Sequence, residues 1–343
     1  MTVTSDWYTR FATGEAAGES ALYEGWARGV AMDDAVLRLL EALPRPKRQP
    51  NLIFAVSRLL GAPEEPYPVW REWLLEHWDQ VRDDALQRST QTNEPRRAAA
   101  LVPLLAGIAG PIALLEIGAS AGLCLYPDKY SYLYNGVPLG PVAQDPVALN
   151  PVAHYQAWTP SSVVIDVTTT GVAPTPMPWT LPQIVWRAGL DLAPLDVHNS
   201  DDMHWLETLV WPEQHERRER IRAAVDIARA DPPHLMRGDA VADLAAIVAE
   251  ARAAAPDATV VVVTAGVLVY LSVAERAAFV EAVTALGVRW ISLEGVAVLP
   301  GVAEQLVSSP PEPGLFVLAL DGQPVAYCAP HGHRLHWLAD SGE

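Results

Sequence analysis

Cysteine is nearly absent: Cys124 and Cys328 are the only two in 343 residues. Two thiols cannot build a disulfide framework or a four-cysteine metal site, and such a chain suits a reducing compartment. Basic residues are scarce as well, 24 Lys and Arg against 41 Asp and Glu, for a net charge of −17. A field of that sign repels nucleic acid and anionic lipid, and no Lys/Arg run offsets it. The basic stretches, Arg45 to Arg48 and Glu216 to Arg222, are short, and the second mixes both signs as a solvated helix face does. Unbroken hydrophobic runs are missing too. Ala98 to Leu115 approaches the length of a bilayer span, but Pro103, Gly107, Gly110 and Pro111 divide it. A buried helix, a turn at Gly110-Pro111 and a strand account for it without a membrane. Met1 to Tyr8 lacks the basic start and apolar core of a signal peptide, so a cytoplasmic protein is expected.

What is present falls into two parts. Residues 1 to about 110 read as a helical N-terminal domain, with apolar residues three and four apart in Ser20–Val30 and Asp33–Leu43 and a helix through Leu60 that Asn51 can cap. Trp70 to Leu86 reads as one amphipathic helix, and Arg88 to Arg97 as a polar segment between apolar helices. From 111 to 343 strands alternate with helices, the pattern of a parallel sheet covered on both faces. Expected strands run through Leu114–Ile117, Ile184–Asp191, Pro233–Asp239, Thr259–Val263 and Val288–Val298, and a C-terminal antiparallel hairpin turns at Asp321-Gly322. Residues 126 to 182, rich in Tyr, Pro and Gly, read as an insertion, a hairpin or cap.

The stretch Leu114 to Leu123 organises the second part. A buried strand runs into Gly118-Ala-Ser-Ala-Gly122, a turn lean enough for a polar ligand to reach the backbone, and an apolar helix is expected to follow. Three acids close successive strands: Glu116, Asp191 and Asp239. In an open parallel sheet the binding crevice lies beyond those carboxyl ends. A carboxylate there can accept from ribose hydroxyls or from an adenine amino group.

Glu116-Ile-Gly-Ala-Ser-Ala-Gly122 resembles the glycine motif of class I S-adenosylmethionine-dependent methyltransferases. Ala188 to Pro194 resembles their second-strand motif, Arg237 to Ala240 the third, and Val260 to Leu271 the fourth strand and its loop. At whole-chain level the sequence also resembles a bacterial family of unknown function, through Arg48–Asn51, Gln91–Glu94, the glycine motif and Val210–Gln214. The first resemblance implies a Rossmann-like doubly wound sheet of methyltransferase type binding S-adenosylmethionine and a small-molecule substrate. It implies a cofactor site of Glu116, Gly118, Ser120, Gly122, Asp191, Gly238, Asp239 and Thr264, and no metal. Gln91, Asn93, Glu94 and Trp211 are the candidates for a substrate pocket. Two departures accompany the resemblance. The distance from Gly122 to Asp191 far exceeds the ~20 residues usual between glycine motif and acid, and Asp145, nearer that spacing, sits in a Gln-Asp-Pro loop. The fourth strand lacks the Asn/Asp-Pro-Pro motif of amino-group methyltransferases, which argues against methylation of base nitrogens.

Methyl transfer to oxygen or nitrogen wants a base, and the candidates are His215, Tyr270 and Glu294. For each a structural role competes: a solvated helix, packing and a core hydrogen bond. Three rival readings stand beside this one. Gly118-Ala-Ser-Ala-Gly122 satisfies the hydrolase nucleophile elbow with Ser120, and His331, His333 or His336 could complete a triad. The same histidines alternate as metal ligands on a strand could. A non-catalytic nucleoside-binding protein would use the same sheet.

Overall fold

The N-terminal apolar spacing resolves into the helices Ala21–Ala31, Asp34–Glu41 and Pro50–Leu59. Ser20 and Asp33 cap the first two by accepting from backbone N–H groups of Tyr23 and of Ala35 and Val36, which satisfies donors a helix start leaves open. The single amphipathic helix expected over Trp70 to Leu86 is instead two, Tyr67–Glu76 and Trp78–Gln87. His77 leaves helical geometry between them, its ring stacked 4.4 Å from that of Trp73.

The computed structural model describes residues 2–140, 160–173 and 180–338. It divides into two units, Met1–Thr92 with His198–Glu219, and Asn93–Val197 with Arg220–Glu343. The boundary thus falls at Thr92, where the sequence reading divides the chain near residue 110, and the helix Ser200–Thr208 joins the helical unit. That unit is built on aromatic rings. Tyr8, Phe11, Tyr23, Trp26, Phe54 and Trp70 are all buried, with Trp26 and Trp70 stacked at 4.9 Å. Arg58 donates to the carbonyls of Thr208 and Val210 at 2.8 and 2.9 Å, fastening the later segment to the earlier one.

In the second unit the strands are β1 (Ile112–Ile117), β2 (Ser131–Tyr134), β3 (Val137–Leu139), β4 (Val164–Thr170), β5 (Ile184–Asp191) and β6 (His234–Arg237). They continue with β7 (Thr259–Ala265), β8 (Arg289–Gly295), β9 (Phe316–Leu320), β10 (Gln323–Cys328) and β11 (Arg334–Trp337). They form one mixed sheet in the order β3-β2-β4-β11-β10-β9-β8-β7-β1-β5-β6. The pairs joining β6, β5, β1, β7 and β8 are all parallel. β1 lies mid-core and all six of its residues are buried, as a strand flanked and covered on every side requires. From β1 the chain steps outward to β5 and β6, then returns to β7 on the other side. The topological switch point therefore lies between β1 and β7. The expected C-terminal hairpin is present as antiparallel β9 and β10, and its turn residues Asp321 and Gly322 take the positive φ of 51° and 79° that such a turn needs.

Of the insertion expected at 126–182, the described part forms a β2–β3 hairpin and β4, joined to the main sheet through β11. Tyr130, Tyr132 and Tyr134 are all buried there. Residues 141–159 and 174–179, with Asp145, lie outside the described residues. The run Ala98 to Leu115 is a helix, Ala98–Ala106, a turn with Gly110 at φ 80° and the start of β1. Among the described residues no helix is long and apolar enough to cross a membrane.

Candidate functional site

The site is built where β1 ends. Gly118 and Gly122 take φ of 75° and 71°, and Ser120, at 52°, shares that left-handed region despite its side chain. The helix expected after the turn does not form. Leu123–Leu125 is a single 3₁₀ turn, and the chain enters it from a left-handed Gly122 whose conformation no helix can continue. The backbone groups of the turn are held by neighbours instead. Asn93, itself buried, donates through Nδ2 to the Ala119 carbonyl at 3.0 Å and accepts from the Leu123 N–H at 2.8 Å.

Asp191 ends β5 next to β1, and parallel pairing brings it to this turn despite the long separation in sequence. Its Oδ2 accepts from the Ser120 N–H and its Oδ1 from the Ala193 N–H, each at 2.8 Å. Both oxygens keep a second lone pair that a ligand hydroxyl can use. Gly238 and Asp239 follow β6. The Gly238 N–H donates to the Asp191 carbonyl at 2.9 Å, which joins the two strand ends. Asp239 Oδ1 accepts from Val241 and Ala242, and these N–H groups hold its carboxyl below the usual range.

Glu116, the penultimate residue of β1, is buried. Burial pushes its pKa up to about 8, partly opposed by the nearby Arg97 charge and by Cys124. Its Oε2 is enclosed and accepts no hydrogen bond. Glu294, near the end of β8, is also buried and is raised to about 7 by the same cause, against the pull of the Leu268 and Val267 N–H groups and Arg97. Its Oε1 accepts from Val267 and Leu268 at 3.1 and 3.2 Å, and its Oε2 has no partner. Glu294 thus shapes the loop after β7, and the core hydrogen-bond role is the one the geometry supports. That loop closes on the glycine turn. A Cβ on Gly118 would stand 2.5 Å from Val267 Cγ2, and one on Gly122 would stand 2.9 Å from Pro233. Glycine is needed at both positions to seat protein neighbours, not to leave an opening.

The other sequence candidates fall elsewhere. Thr264 faces the opposite side of the sheet; it is fully buried and accepts from Trp290 Nε1 at 3.2 Å, so it is spent in the core and not offered to a ligand. Tyr270 is 70% exposed, not packed. Gln91, Trp211 and His215 belong to the helical unit. His215 is exposed. Trp211 packs on Phe11 and Tyr23 and donates to Asn51 Oδ1 at 2.9 Å. Asn93 and Glu94 belong to the sheet unit, where Glu94 is buried and accepts from Arg220 at 3.0 Å. His336 meets Thr170 Oγ1 at 2.7 Å, and among the described residues no three His, Cys, Asp or Glu side chains gather as a metal set. Sequence reasoning missed Arg97. It is buried, donating from Nη1 to the Ala265 carbonyl at 2.7 Å and from Nε to the Pro330 carbonyl at 2.9 Å. Its only signal was its place at the end of the polar segment.

Compared with known proteins, residues 5–337 match the family described as uncharacterized protein conserved in bacteria (DUF2332). No curated protein and no solved structure matches the chain.

Proposed function

We propose, for a chain that belongs to this uncharacterized bacterial family, an S-adenosylmethionine-dependent methyltransferase acting on a small molecule, with a sheet of methyltransferase type. One observation carries the reading: Asp191, from the end of β5, hydrogen-bonds into the glycine turn after β1, beside the switch point of a parallel β6-β5-β1-β7-β8 core. An acid so fixed is where a ribose is held in open α/β sheets. Asp239 Oδ2, which accepts no hydrogen bond among the described residues, is free for an adenine amino group. Glu116 offers a buried carboxyl oxygen without a partner beside the turn, the kind of group that a ligand's polar end can satisfy. The cofactor supplies the reactive methyl group when bound, and the chain's part is to orient it and exclude water. Tyr270, exposed after β7, is the remaining candidate on the substrate side. The acidic surface and the cysteine content favour a cytoplasmic protein without a nucleic-acid partner.

Calorimetric titration tests the reading directly. S-adenosylmethionine and S-adenosylhomocysteine should bind, NAD and ATP should not, and Asp191→Asn and Asp239→Ala should each weaken binding while remaining folded. Absence of binding by either sulfonium or thioether ligand overturns it. Binding with no turnover across a panel of small oxygen and nitrogen nucleophiles selects the non-catalytic form of the same fold.

A further inference from the structure

Three arginines of the sheet unit are largely enclosed, and two of them are paired with carboxylates. Arg187 meets Asp128 at 3.0 Å and Arg220 meets Glu94 at 3.0 Å. Arg97 differs. Only 7% exposed, it has no carboxylate within 4.0 Å among the described residues. Its two hydrogen bonds go to uncharged carbonyls, those of Ala265 and Pro330. A guanidinium carries five N–H donors, and Nη2 gives none of its own to the described residues. Nη2 lies close against Gly266, where a Cβ would stand 3.3 Å from it, and Gly266 sits at φ 71°.

Charge balance sharpens the contrast. The carboxyls that act on Arg97 electrostatically are Glu116 and Glu294. Burial raises Glu116 to about 8 and Glu294 to about 7, so neither carries a full negative charge beside the guanidinium at neutral pH. Buried charges are ordinarily paired, and this one lies at the carboxyl end of β7, alongside the β1–β7 switch point. Val267, two residues beyond Ala265 at that end, packs on Gly118 of the glycine turn.

We propose that Arg97 is a ligand-binding residue that grips, through Nη2, the carboxylate at the amino-acid end of the bound cofactor. The inference rests on the cofactor reading of the preceding section and extends it to a residue outside the glycine motif. A planar guanidinium suits a carboxylate better than a lysine would, because two parallel N–H donors meet two oxygens.

The test uses the full chain and three probes: S-adenosylhomocysteine, its decarboxylated analogue and 5′-methylthioadenosine. Calorimetry on the unsubstituted protein should show S-adenosylhomocysteine binding about ten- to a hundredfold tighter than the decarboxylated analogue, the usual worth of a charged hydrogen bond. Arg97→Gln should lose that preference and leave 5′-methylthioadenosine affinity within about threefold, while Arg97→Lys keeps part of it. Equal affinities for the two thioethers in the unsubstituted protein overturn the role of Arg97 and leave the cofactor reading standing. A preference that persists in folded Arg97→Gln overturns it too. If none of the probes binds, the cofactor reading itself falls. Should Arg97→Gln fail to fold, folded Arg97→Lys decides, and a preference undiminished in it overturns the role of Arg97.

Discussion

Glu116 and Glu294 are carboxyls that the fold keeps away from water, and the consequence is a stability that depends on pH. A carboxyl whose folded pKa is raised stays protonated in the native state while the unfolded chain has already lost its proton. Stability from such a group is complete below the unfolded value of 4.5 and declines as pH rises toward the folded values of about 7 and about 8. Between about pH 5 and the folded value, about 7 for Glu294 and about 8 for Glu116, each group can contribute a slope of up to about 1.4 kcal/mol per pH unit. Glu116→Gln keeps the shape and removes the ionisation. Thermal unfolding from pH 5 to 8.5 should therefore fall less steeply in the variant, and an unchanged slope would show that Glu116 is ionised in the native protein. Asn93 is the opposite case, a buried amide with both ends used. Asn93→Ala leaves the Leu123 N–H without a partner and the Ala119 carbonyl with only the Gly122 N–H, at a cost of about 1–3 kcal/mol, read as a lower urea midpoint at constant m-value.

At the scale of elements, the turn after β1 shows what a sequence discloses and what it conceals. The strand, the glycines and the acid at the end of β5 were legible because each has a local signature: a buried apolar run, a positive φ and a Gly-Leu-Asp ending. Pairing between β1 and β5 then brought Asp191 to Ser120 across a gap that spacing rules alone would have rejected. The helix after the turn was not legible as absent, since Leu123-Cys-Leu125 is apolar enough to continue one. Its absence comes from tertiary partners, Asn93 on the Leu123 N–H and Pro233 against Gly122. Thr264 was misread for a related reason. Alternation along β7 turns it to the face opposite Glu116, and that polarity is settled only by which face Trp290 fills. Arg97 had no local signature beyond its place at the end of the polar segment. Its role depends on Ala265 and Pro330, which the chain brings to it from far along the sequence.

The contact between the glycine turn and the loop after β7 makes its own prediction. In Gly118→Ala the new Cβ stands 2.5 Å from Val267 and the residue must hold a φ of 75°. The left-handed backbone alone costs about 1–2 kcal/mol, and the overlap adds to it. Val267→Ala in the same chain removes the 2.5 Å contact with Cγ2, leaves the one with Cβ at 2.8 Å, and keeps the backbone strain. The double variant should recover part of the lost stability by urea unfolding, leaving a deficit of at least the ~1–2 kcal/mol of the left-handed backbone. Full recovery would mean that the left-handed conformation carries no cost at this position.

At the scale of the whole molecule, the helical unit is not a contiguous piece of chain. Its aromatic core draws Trp205 from the helix Ser200–Thr208, and Trp211 packs on Phe11 and Tyr23 from the same later segment. The Arg58 guanidinium, buried beside Tyr23, takes two of its acceptors, the Thr208 and Val210 carbonyls, from there as well. A fragment of residues 1–92 therefore lacks the indoles that close its core and leaves a buried arginine without those bonds. Losing one large aromatic from a core costs about 3–5 kcal/mol, against a total stability of about 5–15 kcal/mol for a domain. Two indoles and the Arg58 acceptors together exceed what the fragment can spare. We expect residues 1–92 alone to show helical far-UV circular dichroism without a cooperative thermal transition. Adding a 198–219 peptide should restore the transition, and Trp211→Ala in that peptide should abolish the rescue. A fragment that melts cooperatively on its own would show that the later segment decorates this core rather than completes it.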